Sequence, residues 1–118
     1  MVKFRFQDLE IWQLAIEICD ELFDIANDLE NKKFFRFAEQ LRGAAISSPN
    51  NIAEGSGSDS KKDFANFLNI AKRSTFENAN MILILKRRNL ISTETEIYLL
   101  EKLDKLSRKI TSFKKTLR

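Results

Sequence analysis

The chain predicts an all-α protein: an antiparallel up-and-down four-helix bundle with a proline-kinked second helix. Three observations carry that prediction. Only three glycines and one proline punctuate 118 residues, too few for a turn-rich sheet fold. Four segments repeat apolar residues at steps of three and four, as one face of a helix must. Short polar stretches separate them, so each helix returns beside its predecessor. The length suits a single domain over residues 1–118, one that buries roughly 65% of its unfolded surface. No internal sequence repeat is visible.

Each element has its own signature. The first helix is expected from Asp8, an N-cap type, to about Leu29, with Trp12, Ala15, Cys19, Leu22, Ala26 and Leu29 along one seam. Glu30-Asn31-Lys32-Lys33 makes the turn. The second helix runs from about Phe34 to Glu54, with Phe37, Leu41, Ala44, Ala45, Ser48 and Ile52 inward. Phe34, Phe35 and Phe37 cannot all face one seam, so at least one points outward. Gly55 to Asp59 reads as a loop. Ser60 with Asp63 caps the third helix, which carries Phe64, Phe67, Ala71, Ser74, Asn78, Met81 and Leu85 to about Arg88. Thr93 with Glu96 fits a capping box for the fourth, whose seam holds Leu99, Leu103, Leu106, Ile110, Phe113 and Leu117.

Pro49 stands inside the second helical pattern. It lacks an N–H and its ring crowds the Ala45 carbonyl, so a kink or break is expected there, with Ser47 and Ser48 placed to satisfy freed groups. Ile52 extends the seam beyond the proline and favours a continuous, kinked helix. Ala44, Ala45 and Ala53 permit close approach of a neighbouring backbone.

Charge is segregated by helix. Residues 1–31 hold two basic and eight acidic side chains, residues 61–91 seven and two, and residues 92–118 seven and four. The net +3 therefore conceals an acidic first helix, striped by Glu10, Glu17, Glu21, Asp24 and Asp28, and two basic ones. The outer face of the third helix carries Lys62, Asn66, Asn69, Arg73, Asn80 and Arg87, flanked by Lys61, Lys72 and Lys86. On the fourth, Lys105, Arg108 and Lys115 project, with Lys109, Lys114 and Arg118 nearby.

Several chemistries are disfavoured. There is no histidine, hence neither the commonest general base nor the commonest metal ligand. The single cysteine, Cys19, forms no internal disulfide and lies on an apolar seam. Carboxylates spread along a solvated helix do not make a metal cage. Arg42, Asn50, Asn51 and Glu54 form the one candidate polar cluster for catalysis, beside the kink. The structural reading of that cluster, as a brace for the kink, is the stronger, and no enzyme or cofactor is expected. The longest apolar run, Met81–Leu85, is far short of the ~20 residues of a membrane span. Met1 to Phe6 lacks the apolar core of a signal peptide, so a cytoplasmic protein is expected.

The stretch QLRGAAISSPNNIAEG, residues 40–55, resembles the 23S rRNA intervening-sequence protein family, whose pattern there reads much like QLRRAA-S-IP-NIAEG. Gln40, Leu41, Arg42, Ala44, Ala45, Ser47, Pro49, Asn51, Ile52, Ala53, Glu54 and Gly55 match it. The likeness extends upstream through Phe6, Asp8-Leu9, Trp12 and Ala15, and downstream through Lys61-Lys62, Phe64, Phe67-Leu68, Ile70-Ala71, Ser74 and Glu77. Gly43 replaces a usual arginine, Ser48 a usual isoleucine, and Arg73 a usual glycine. The resemblance implies a bacterial cytoplasmic bundle without enzymatic activity, often a pentamer. Many members are encoded in intervening sequences of ribosomal RNA genes. A related protein, the accessory variability determinant of diversity-generating retroelements, is a basic pentamer that engages nucleic acid and a reverse transcriptase. Arg42, Ser47, Pro49, Asn51, Glu54 and Gly55 are then structural motif residues.

The functional expectation is an oligomeric nucleic-acid-binding protein, RNA before DNA, acting through Lys61, Lys62, Lys72, Arg73, Lys86, Arg87, Lys105, Arg108 and Lys115. Phe76, at the edge of that face, is placed to stack on a base. The alternative is a protein–protein scaffold in which the acidic first helix meets the basic helices, between subunits or within one bundle.

Overall fold

The computed structural model describes all 118 residues. A 3-10 turn at Arg5–Asp8 leads into α1 (Glu10–Asn31), α2 (Phe35–Ser56), α3 (Lys61–Arg87) and α4 (Thr93–Lys115), with no strand. Each helix packs on the next and α4 returns to α1, without diagonal contact. Neighbours run in opposite chain directions. Ser47 meets Ser74 while Gly55 meets Phe64; Glu21 meets Lys102 while Glu10 meets Lys109. Most of the expected seam residues form the core, with Leu22, Leu41, Ile52, Leu85, Leu103 and Ile110 fully buried. On α3 it is Leu68 rather than the expected Phe67 that enters the core, Phe67 staying half-buried beside Gly55. Trp12 is only half-buried, against Phe6. Phe34 and Phe35 are exposed, whereas Phe37 packs on the core.

Helix ends depart from expectation where local hydrogen bonding intervenes. Asp8 does not cap α1. It closes the 3-10 turn, in which the Phe4 N–H donates to Gln7 Oε1 at 2.8 Å, and Leu9 takes the capping position. α2 continues past Glu54 to Ser56, because Gly55 lies against α3 and Ser56 Oγ donates to the Ala53 carbonyl. Ser60 caps α3 as expected, accepting from the Asp63 N–H at 3.0 Å. α4 is capped one residue early: Ser92 Oγ accepts from the Thr95 N–H, so Thr93 is the first helical residue. α1 and α3 terminate at Lys33 and Asn89 with left-handed φ of 71° and 58°. There the Phe34 and Leu90 N–H groups reach back to the Leu29 and Leu85 carbonyls, the hydrogen bond of a Schellman ending.

The hydrogen-bonded helix α2 passes through Pro49, which is buried. Neither neighbouring serine serves the backbone freed by the proline. Ser47 Oγ pairs with Ser74 Oγ at 2.6 Å and accepts from Asn51 Nδ2, while the buried Ser48 hydroxyl has no partner. α2 comes close against α3 at Gly55. A Cβ there would lie 2.8 Å from both Phe64 Cδ1 and Phe67 Cβ, so only glycine fits. No helix is long and apolar enough to cross a membrane.

Candidate nucleic-acid interface

The position of α4 between α1 and α3 divides the basic charge. Toward α1, Lys102 Nζ donates to Glu21 Oε1 at 2.9 Å, to Tyr98 Oη at 3.0 Å and more weakly to Glu17 at 3.5 Å. Tyr98 Oη donates to the same Glu21 oxygen. Burial alone lowers the pKa of this ammonium. The hydrogen bonds to Tyr98 and Glu21, with the charges of Glu21 and Glu17, outweigh it and hold the group above the ordinary lysine range. Lys109 pairs with Glu10, and its hydrogen bond and charge, aided by the Lys105 charge, lower the Glu10 pKa despite some desolvation. The acidic and basic helices thus meet within one bundle, and part of each stripe is neutralised there.

Toward α3 the arrangement is different. The first turns of α3 and the last of α4 lie at the same end of the bundle and enclose a cleft of about 330 Å³. Lys61, Lys62, Lys72, Lys114, Lys115 and Arg118 line it, with Ala65, Thr111 and Leu117, and no aspartate or glutamate does. None of the six cations belongs to any of the seven ion pairs in the molecule. Lys61 and Lys62 occupy the first turn of α3, where the helix dipole disfavours positive charge. Such a site suits an anion with more than one phosphate.

The nine cations expected on the basic faces of α3 and α4 are divided among several places. Lys61, Lys62, Lys72 and Lys115 line the cleft, and Arg73 lies beside it in a depression with Asn69, Lys72 and Phe76. Arg87 sits at the other end of α3, against Phe34, Arg88 and Asn89, about 37 Å from Lys62 by helical rise, and Lys86 precedes it. Arg108 pairs with Asp104 at 3.0 Å, and Lys105 is close enough to Glu10 to bias its charge. Lys114 and Arg118, left as neighbours of the basic face by sequence reasoning, belong to the cleft. Thr111, Lys114 and Lys115 fall one turn apart and so share one side of α4, but only the packed neighbours show that this side faces α3, and Arg118 lies beyond the helix.

The candidate polar cluster beside Pro49 does not assemble. Arg42 turns to α1, donating to Asn27 Oδ1 at 2.7 Å and Glu30 Oε1 at 3.1 Å. Asn51 Nδ2 bonds back to the Ser47 carbonyl at 2.8 Å, and Glu54 and Asn50 face outward. Arg42, Ser47 and Gly55 hold α2 to its neighbours instead, while Asn51 bonds within α2. Burial, with the charge of Asp20, pushes the Cys19 thiol up, which disfavours the reactive thiolate. No group of three or more cysteine, aspartate or glutamate side chains is placed to hold a metal ion.

Fold and surface together define a small helical-bundle protein with an uncompensated basic cleft of six cations. The chain belongs to the 23S rRNA-intervening sequence protein family, whose model matches residues 7–112. A crystal structure of a protein of unknown function from the S23 ribosomal protein family of Bacteroides thetaiotaomicron is similar at a TM-score of 0.84 and 23% identity. The match covers 89% of this chain and 98% of that one. At that identity the likeness speaks to the fold. No curated protein matches the chain.

Proposed function

We propose that this protein is a non-enzymatic cytoplasmic nucleic-acid-binding bundle that takes RNA in preference to DNA, holding phosphates in the cleft between α3 and α4. One observation carries the reading: six cations converge there with no acidic partner, whereas Lys102 and Lys109 on the other flank of α4 are paired. Cations kept close together against their mutual repulsion favour release of counterions from a phosphate backbone. The family's name carries 23S rRNA, which favours RNA. Nothing in the cleft resembles a base-reading set, so affinity is expected to depend on salt more than on sequence.

Fluorescence anisotropy of the full chain with mixed-sequence RNA and duplex DNA, stepped through salt, tests this. Micromolar or tighter binding whose logarithm falls steeply with the logarithm of salt is the expected result. Absence of binding at low salt overturns it.

A second reading, an oligomeric scaffold without nucleic-acid contact, is favoured by the outer face of α2 and α3. An open groove of about 570 Å³ there is lined by Phe37, Gly43, Ala44, Met81 and Ile84 among others, and Ile46 and Ile70 are also exposed. Such a face fits self-association, and the resemblance points to five copies. Sedimentation equilibrium gives the copy number. An assembly that covers the basic cleft favours the scaffold.

A further inference from the structure

We infer that the apolar groove adjoining the basic cleft is a base-binding subsite, and that the ligand is an unpaired nucleic-acid strand rather than a duplex. This rests on the nucleic-acid reading of the cleft. Three depressions join along the α3–α4 face through shared residues. Lys72 lines both the basic cleft and the depression of Asn69, Arg73 and Phe76. Phe76 lines that depression and also a groove of about 240 Å³ with Ala79, Leu100 and Leu103. The order is therefore cations, then an aromatic ring, then an apolar slot.

Phe76 leaves 63% of its surface in water although this groove lies beside it. A single-stranded nucleic acid needs both features at this spacing, a cation for the phosphate and an aromatic face for the base. Lys72 and Phe76 are one helical turn apart, about 6 Å along α3, which is within the reach of one nucleotide. The groove, at about 240 Å³, has room for one flat ring system. Asp104 is its only acid, paired with Arg108. That carboxylate repels phosphate and accepts from an exocyclic amine, which sets the polarity: phosphates in the cleft, a base in the groove. A duplex keeps its bases stacked inside and leaves the groove empty.

The test measures the full chain and its Phe76→Ala and Phe76→Trp variants by anisotropy, against an adenine-rich RNA single strand and an RNA duplex of the same length. Phe76→Ala is expected to weaken single-strand binding about 5- to 50-fold with the salt slope unchanged. Duplex affinity should stay within about twofold of wild type, because stacking alone is removed. Phe76→Trp restores single-strand binding. Wild-type single-strand affinity unaffected by Phe76→Ala overturns the subsite and leaves the cleft reading intact. If wild type binds neither probe at low salt, the cleft reading fails and this one with it. If Phe76→Ala instead lowers the sedimenting mass, the groove is a contact between copies and the subsite is wrong.

Discussion

The two flanks of α4 carry the same kinds of side chain and put them to opposite uses. On the α1 flank, Glu10, Glu17 and Glu21 consume Lys102 and Lys109, and Lys102 retains only 17% side-chain exposure. On the α3 flank six cations face one cleft without a carboxylate. The first arrangement closes the bundle along its most thinly packed seam. The second opposes folding: two lysines against the helix dipole cost about 0.3–1 kcal/mol each at the N-terminus of α3. Net charge says nothing about this difference. It depends on which helix each side of α4 meets, and it separates charge that holds the fold from charge left for a ligand.

Reversing the unspent charge gives the largest expected effect and would break the comparison if it failed. Lys61→Glu with Lys62→Glu should lower RNA affinity roughly 100-fold, about 2.7 kcal/mol, and reduce the salt slope by about two. The same pair places acids at the start of α3, so thermal stability should hold or rise by up to about 1 kcal/mol. Lost stability with retained affinity would show that these lysines serve the fold and that the phosphates bind elsewhere.

The cleft also depends on the helix behind it. Gly55→Ala puts a Cβ into Phe64 and Phe67, on the first two turns of α3 and beneath Lys61 and Lys62. Overpacking of this kind costs about 1–3 kcal/mol, measurable by urea unfolding. RNA affinity should fall as well, though no cation is touched, since Phe64 also packs in a tilted ring pair on Phe113 of α4, the helix that forms the cleft's other wall. Unchanged stability would mean that the α2–α3 crossing yields at little cost.

On the spent flank, Lys102→Ala should do the reverse. It removes the partner of Glu21, whose Oε2 is already buried without a hydrogen bond, and should cost about 1–2 kcal/mol. RNA affinity should remain within about twofold of wild type, because the seam faces away from the cleft. The Lys102 pKa is raised by folding, so its stabilisation is complete below the unfolded-chain value near 10.4 and is lost as pH climbs through the higher folded value. Wild type and variant should therefore differ by a constant amount from neutral pH to about 10 and converge above it. A variant that loses RNA binding instead would erase the distinction between the flanks.

Much of the fold was legible because helical periodicity survives in one sequence. The seams from Ala15 to Leu29 and from Leu99 to Ile110 needed only the steps of three and four. Helix starts were less legible. Ser92 and Thr93 are both capping types, and only the bond to the Thr95 N–H selects between them; Asp8 was pre-empted by the Phe4–Gln7 contact. Gly55 read as the start of a loop, since sequence does not show that Phe64 and Phe67 will press on it. For the site, the excess of cations on α3 and α4 was plain, but their division was not. Lys105, Arg108, Lys114 and Lys115 look alike until the neighbouring helices are in place. The likeness of residues 40–55 to the family pattern, by contrast, located a packing motif, with Arg42 anchoring α2 to α1 through Glu30 and Asn27.

The smallest expected effect probes the seam at its exposed end. Glu10 keeps 71% side-chain exposure and meets Lys109, whose hydrogen bond and charge depress its pKa. A carboxylate whose pKa is lowered by folding stabilises the native state above its unfolded value, near 4.3, and that contribution disappears as pH falls through the folded value. Glu10→Gln removes the contribution at every pH. Wild type should be slightly more stable than the variant at neutral pH, and the difference should vanish in acid, followed by thermal melts from pH 7 downward. High salt should shrink the neutral-pH difference, since exposed pairs are screened. Salt should likewise weaken RNA binding at the cleft, whereas the half-buried Lys102 network should change little. If the Glu10 and Lys102 pairs respond to salt alike, the seam is uniformly solvated. Its charges are then no more committed to the fold than those of the cleft.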